Sequence, residues 1–202
     1  MSALTYQPTA QEVKRLRELT NAPMMDCRRA LAEAEGDLDR AKGLLHERGA
    51  LQAQNKAERA ADEGVIASYI HAGGKIGVLV EVNSETDFVA RNPRFGELAR
   101  DIAMQIVAMS PKYLDRESVP PEVVEQERAA FAAAVPAGKP PQVAQKIVEG
   151  KMNKWYEEHC LLEQPFVKDD SISVRELINR GIAVLGEKIR VRRFTKYALG
   201  EP

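Results

Sequence analysis

The chain has 202 residues, 44% of them hydrophobic and 29% charged, with a formal net charge of −1. That length suits one sizeable domain or two small ones with a real core. The near balance of charge argues against nucleic acid as the main partner, because such binding is driven largely by phosphate neutralisation. The two cysteines, Cys27 and Cys160, lie far apart and suggest no disulfide framework, so a reducing, cytoplasmic location is expected. The opening run Met1-Ser2-Ala3-Leu4-Thr5 lacks a basic region followed by an apolar one, so no signal peptide is expected. No apolar stretch is long enough to span a bilayer, and no membrane partner is expected.

Residues 1–51 read as three short helices. Val13, Leu16 and Leu19 share a face of the first, and Met24, Cys27, Leu31 and Ala34 a face of the second. Leu38, Ala41, Leu44 and Leu45 line the third. Asn21 suits the tight turn between the first two, and Pro23 a first helical position. Asp37 is the expected N-cap of the third helix and Gly49 its stop. Residues 52–63 are polar and Ala-rich, as in a solvated helical connector. Residues 64–202 then form the main domain. Two strands, Gly64–His71 and Ile76–Ser84, are joined by Gly73-Gly74, a good hairpin turn. On the second strand Ile76, Val78, Val80 and Val82 share a buried face, and the opposite face is more polar.

Asn92-Pro93 reads as an N-cap followed by a proline at the first helical position, before a stripe of Phe95, Leu98, Ile102, Ile106 and Met109. A charged helix from about Glu122 to Ala134 follows, then one marked by Val143, Ile147, Met152 and Trp155. Ser173 and Glu176 form a capping-box pattern ahead of Leu177, Ile178, Ile182 and Leu185, with Gly186 as the stop. The last strand, Ile189–Tyr197, breaks its alternation between Val191 and Phe194, as a bulge would. Arg190, Arg192 and Lys196 share a face of that strand and read as a solvated edge or dimer surface. The expected fold class is therefore α+β: a three-helix bundle, a helical connector, and antiparallel strands packed against helices.

Most enzyme signatures are missing. Gly74-Lys75 is followed by Ile76 and falls in a hairpin turn, so there is no phosphate-binding loop. Gly73, Gly74 and Gly77 do not form a dinucleotide fingerprint. His46, His71 and His159 have no metal-ligand spacing with the cysteines, and no nucleophile stands in an activating context. Neither an enzyme nor a bound cofactor or metal is expected.

One run stands out: Thr86-Asp87-Phe88-Val89-Ala90-Arg91-Asn92, between a strand and an amphipathic helix. By residue physics alone, Phe88 or Val89 would plug the core beneath this turn, because large apolar side chains are usually buried. Asp87 would then be a turn residue and Asn92 a helix cap. The uninterrupted run resembles the signature of the elongation factor Ts family. Leu16-Arg17-Glu18-Leu19-Thr20 and Met24-Met25-Asp26-Cys27-Arg28-Arg29-Ala30-Leu31 are similar to that family's ubiquitin-associated-like bundle. Leu162-Glu163-Gln164-Pro165-Phe166-Val167 and Val191-Arg192-Arg193-Phe194 are family-like as well.

The resemblance implies guanine-nucleotide exchange on the GTPase elongation factor Tu in the cytoplasm. Thr86, Asp87, Phe88 and Val89 would engage the partner, and Phe88 would disturb its Mg²⁺. Arg17, Met24 and Met25 match positions that touch the partner's GTPase domain. Their alternative reading puts Met24 in the bundle core and Arg17 on a solvated face. Longer family members carry two related core halves. Only one fits here, with 118–135 as a short replacement, and a homodimer is implied. A second reading is a non-catalytic adaptor whose bundle binds a protein partner.

Overall fold

A computed structural model describes residues 6–136 and 138–201. The opening Met1–Thr5 run, and the expectation attached to it, lie outside the described residues. The protein is α+β. In chain order it has α1 (Ala10–Thr20), α2 (Met24–Glu33), α3 (Leu38–Lys56), β1 (Glu63–Ile70), β2 (Ile76–Ser84) and α4 (Asp87–Ala90). There follow α5 (Pro93–Met109), α6 (Pro121–Ala133), α7 (Pro141–His159), a 3₁₀ turn (Leu161–Glu163), β3 (Pro165–Phe166), β4 (Asp169–Ser173), α8 (Val174–Leu185) and β5 (Arg190–Ala198). One sheet has the strand order β1-β2-β5, and β3 pairs with β4. No helix among the described residues is long and apolar enough to cross a membrane.

Two compact units divide the chain. The first comprises the residues up to Ile66 together with Glu81–Ala99 and Glu176–Arg192. Its N-terminal bundle is built on local signals. Thr9 caps α1 reciprocally with Glu12, whose carboxylate accepts from the Thr9 amide at 2.7 Å. Asn21 ends α1 in the left-handed conformation (φ 54°), and its amide reaches the Arg17 carbonyl. Asp37 caps α3 by accepting from the Asp39 and Arg40 amides, both at 2.9 Å. Pro23 takes the N-cap position of α2 rather than the first helical one.

The bundle core consists of Val13, Leu16, Cys27, Ala30, Leu31, Ala34 and Ala41, with Ala22 packed against it. Leu19 and Met24, expected on the buried stripes, are exposed instead. The small Ala22 closes the core at the α1–α2 turn, so the long side chains at the two helix ends stay outside. Gly49 does not stop α3, which runs on to Lys56. Gly49 is buried with its α-carbon facing α8, where an added Cβ would lie 3.7 Å from the Asn179 carbonyl oxygen. Gly49 is therefore an interior helical position packed against α8, not a terminus.

The second unit comprises Ala67–Val80, Arg100–Arg175 and the chain from Arg193. It holds the β1–β2 turn, in which Gly73 and Gly74 adopt φ 90° and 69°. Val119, Val148, Met152, Trp155, Tyr156 and Cys160 form its helical core. Trp155 stacks on His159 with ring centroids 4.5 Å apart. Burial pushes the Cys160 thiol up to about 11, which makes it an inert core residue. Gln105 and Gln164 are buried and fully engaged. Gln105 donates to Gln164 and to the Pro165 carbonyl, both at 3.1 Å, and accepts from the Val167 amide at 2.8 Å. This network ties α5 to the β3–β4 hairpin, an element the sequence pattern did not foretell.

Candidate functional site

Ser84 ends β2 fully buried, and its hydroxyl donates to the Thr86 carbonyl at 3.0 Å. The chain therefore bends at once. Thr86 is extended (φ −128°, ψ 156°) and caps α4, accepting from the Val89 amide at 3.4 Å. The single turn of α4 splits its residues by side. Val89 and Ala90 are buried, whereas Phe88 is 80% exposed and Asp87 is exposed beside it. The reading of Phe88 as a core plug is thus overturned: Val89 fills that place, and the helical turn swings the preceding ring outward. Asn92 caps α5 by accepting from the Arg94 amide at 3.0 Å.

Around the ring lies a shallow, open recess lined by Asp87, Phe88, Arg91, Asn92 and Pro93. Asp87 pairs with Arg91 at 3.0 Å, one helical turn away, with both side chains in solvent. Such a pair contributes little to stability and leaves the carboxylate free to exchange partners. The surface is an aromatic knob flanked by an exchangeable carboxylate. Nothing in it activates a nucleophile. Among the described residues no group of three or more His, Cys, Asp or Glu side chains is placed to hold a metal ion.

The knob stands on a stapled base. Thr86 donates to both carboxylate oxygens of Glu187, from its amide at 3.0 Å and its hydroxyl at 2.7 Å. The Lys188 amide donates back to Glu85 at 2.6 Å, and Arg59 pairs with the same carboxylate at 3.3 Å. The backbone hydrogen bond from Lys188, followed by Arg59, holds the Glu85 carboxyl below its ordinary range. Sequence reasoning missed Glu85, Glu187 and Lys188. Thr86 and Glu187 are 101 positions apart, and no local pattern links them.

Arg17, Met24 and Met25 sit apart from this turn in the sequence, on α1 and α2. All three are exposed. Met24 therefore does not occupy the bundle core. With Leu19, the two methionines make an apolar tip at one end of the bundle, of the adaptable kind that thioether side chains provide.

Residues 3–201 match the family model described as elongation factor TS. An elongation factor Ts of Carboxydothermus hydrogenoformans is 54% identical over 194 residues, covering 96% of this chain and 89% of its own. One from Syntrophomonas wolfei is 55% identical over 194 residues, covering 96% and 91% respectively. One from Thermodesulfovibrio yellowstonii is 51% identical over 193 residues and covers 96% of both.

Proposed function

The chain belongs to the elongation factor Ts family, and from that premise we propose that it is a guanine-nucleotide exchange factor for elongation factor Tu. The observation that carries this reading is the outward Phe88 ring on a turn whose other face is core. GTPases hold their nucleotide through a phosphate loop and a bridging Mg²⁺. Phe88 enters between helices of the partner and shifts the groups that orient the Mg²⁺ ligands. Asp87 hydrogen-bonds at the same contact and fixes the ring there. Thr86 and Val89 supply the cap and the buried anchor behind it. With the ion displaced, the hold on the diphosphate weakens and GDP leaves. The chemistry is steric and electrostatic, with no covalent step and no cofactor on this chain.

The magnitudes suffice. Burying one phenylalanine is worth about 1.5–3 kcal/mol. A coupling of about 1–3 kcal/mol between sites changes affinity roughly 5- to 150-fold. Arg17, Met24 and Met25 add a second contact on the GTPase domain. Coupling is reciprocal, so incoming nucleotide must also expel the exchange factor.

The test is the rate of fluorescent-GDP release from purified elongation factor Tu. Wild-type chain should accelerate it, and Phe88→Ala should lower the acceleration by at least tenfold, equivalent to about 1.4 kcal/mol. Unchanged release would remove Phe88 from the mechanism. Equal affinity for nucleotide-bound and nucleotide-free partner would point to the adaptor reading instead.

A homodimer is part of the same reading. β1 and β5 are the outer strands of their sheet and leave edges that a second copy would cover. Exposed Ile70 and Tyr197 on those strands supply apolar area. Sedimentation of the full chain at micromolar concentration should give twice the monomer mass, and a monomer there would discard the dimer.

A further inference from the structure

We propose that Glu187 is a positioning residue for the exchange reaction: its carboxylate holds the Thr86–Phe88 turn in the ring-outward arrangement before any partner arrives. This rests on the reading of Phe88 as the inserted ring. The need for such a device follows from size. α4 has four residues, too few to persist as an isolated helix. An exposed phenylalanine on a loose turn gains by folding back onto its own surface. Something outside the turn must hold it.

Burial of Val89 and Ala90 fixes the turn from below. Glu187 fixes its entry from the side, with two charge-assisted bonds to one residue. The backbone that carries this carboxylate is itself anchored without help from Thr86. Gly186 ends α8 at φ 79° with its amide on the Ile182 carbonyl, and its own carbonyl accepts from the Lys56 ammonium at 2.7 Å. On the other side, the Lys188 ammonium donates to the Ala57 carbonyl and, at 2.7 Å, to the Arg59 carbonyl. Both neighbours of Glu187 are thus tied to the end of α3 and the residues just after it. The turn carrying Phe88 is clamped against a fixed support.

Loss of the clamp should leave the fold intact while lowering the fraction of molecules whose ring is ready to insert. Apparent affinity falls in proportion to that fraction. The experiment uses the full chain as wild type, Glu187→Ala, Glu187→Gln, Phe88→Ala and the Glu187→Ala/Phe88→Ala double variant. Three measurements are made: thermal melting, amide hydrogen exchange across residues 84–91 of the free protein, and GDP release from elongation factor Tu. Glu187→Ala should speed amide exchange in that segment alone, melt close to wild type, and slow release by about 3- to 10-fold. Glu187→Gln retains one acceptor oxygen and should fall between wild type and Glu187→Ala. The double variant should be no slower than Phe88→Ala, because the clamp acts only through the ring.

Unchanged amide exchange in Glu187→Ala overturns the proposal whatever the release rate. Wild-type release from Glu187→Ala, with slow release from Phe88→Ala, overturns the positioning role and leaves the inserted ring standing. An additive double variant shows Glu187 acting by another route and also overturns it. Wild-type release from Phe88→Ala removes the ring's role and overturns the functional half of the proposal; amide exchange then decides alone whether Glu187 orders the turn.

Discussion

Phe88 and Val89 are adjacent, both apolar, and face opposite ways. Their opposite fates have one cause: the helical turn begun by Thr86 allows only one side of four residues to meet the core. The consequence is measurable as stability. Phe88→Ala removes little buried surface and should shift unfolding free energy by no more than about 0.5 kcal/mol. Val89→Ala empties a buried site and should cost about 1–3 kcal/mol. Denaturant melts of the two variants side by side check this, and a large loss in Phe88→Ala would return the ring to the core. The turn's place was legible from Asn92-Pro93 and from the end of the strand pattern. The ring's direction was not, because average burial favours the opposite answer for phenylalanine. Glu187 was illegible for another reason: its bond to Thr86 exists only after the chain has returned over 101 positions.

At the scale of elements, periodicity placed α1, α2 and α5 in the right segments, and with the Gly73-Gly74 turn it gave β1 and β2 to within a residue of their observed bounds. It failed where the face is narrow or the element short. β3 has two residues and β4 five, too few for alternation to show. α3 misled in the other direction. Glycine after an apolar run is a common stop, yet α3 continues for seven residues beyond Gly49 because α8 packs against that position. The two interpretations of Gly49 predict opposite signs. Within a helix, with an added Cβ in ordinary contact with the Asn179 carbonyl and the Ala183 Cβ at 4.0 Å, Gly49→Ala should stabilise by about 0.5–1 kcal/mol. At a left-handed stop the same change would cost about 1 kcal/mol or more. A thermal melt distinguishes them, and destabilisation would restore Gly49 as a terminus.

Across the whole molecule, carboxylates drawn into specific bonds set the acid limit of stability. In the second unit Glu163 joins separate segments: Arg116 pairs with it at 2.8 Å and also donates to Asn153 on α7 at 2.9 Å, and Arg175 at the start of α8 pairs with it at 2.7 Å. Burial pushes the Glu163 carboxyl up, but hydrogen bonds from Arg175 and Arg116 and their charges together outweigh it and hold the group below its ordinary range. A carboxyl with a lowered folded pKa contributes stability that is present above the unfolded value. That stability drains away as pH falls through the folded one. The protein should therefore lose stability progressively on acidification below the ordinary carboxylate range, not on passing through neutrality. Glu163→Gln should cost about 1–2 kcal/mol at neutral pH, since the two arginines are half in solvent and screened. It should also flatten the loss below the ordinary carboxylate range, because the group that would have been protonated there is gone. Trp155 is the chain's single tryptophan and lies edge-on to Tyr156, over whose ring Arg116 sits at 4.7 Å. Its fluorescence during urea unfolding at successive pH values reads this part of the molecule directly. An acid slope identical in wild type and Glu163→Gln would show that the Arg116–Glu163–Arg175 cluster does not govern acid stability here.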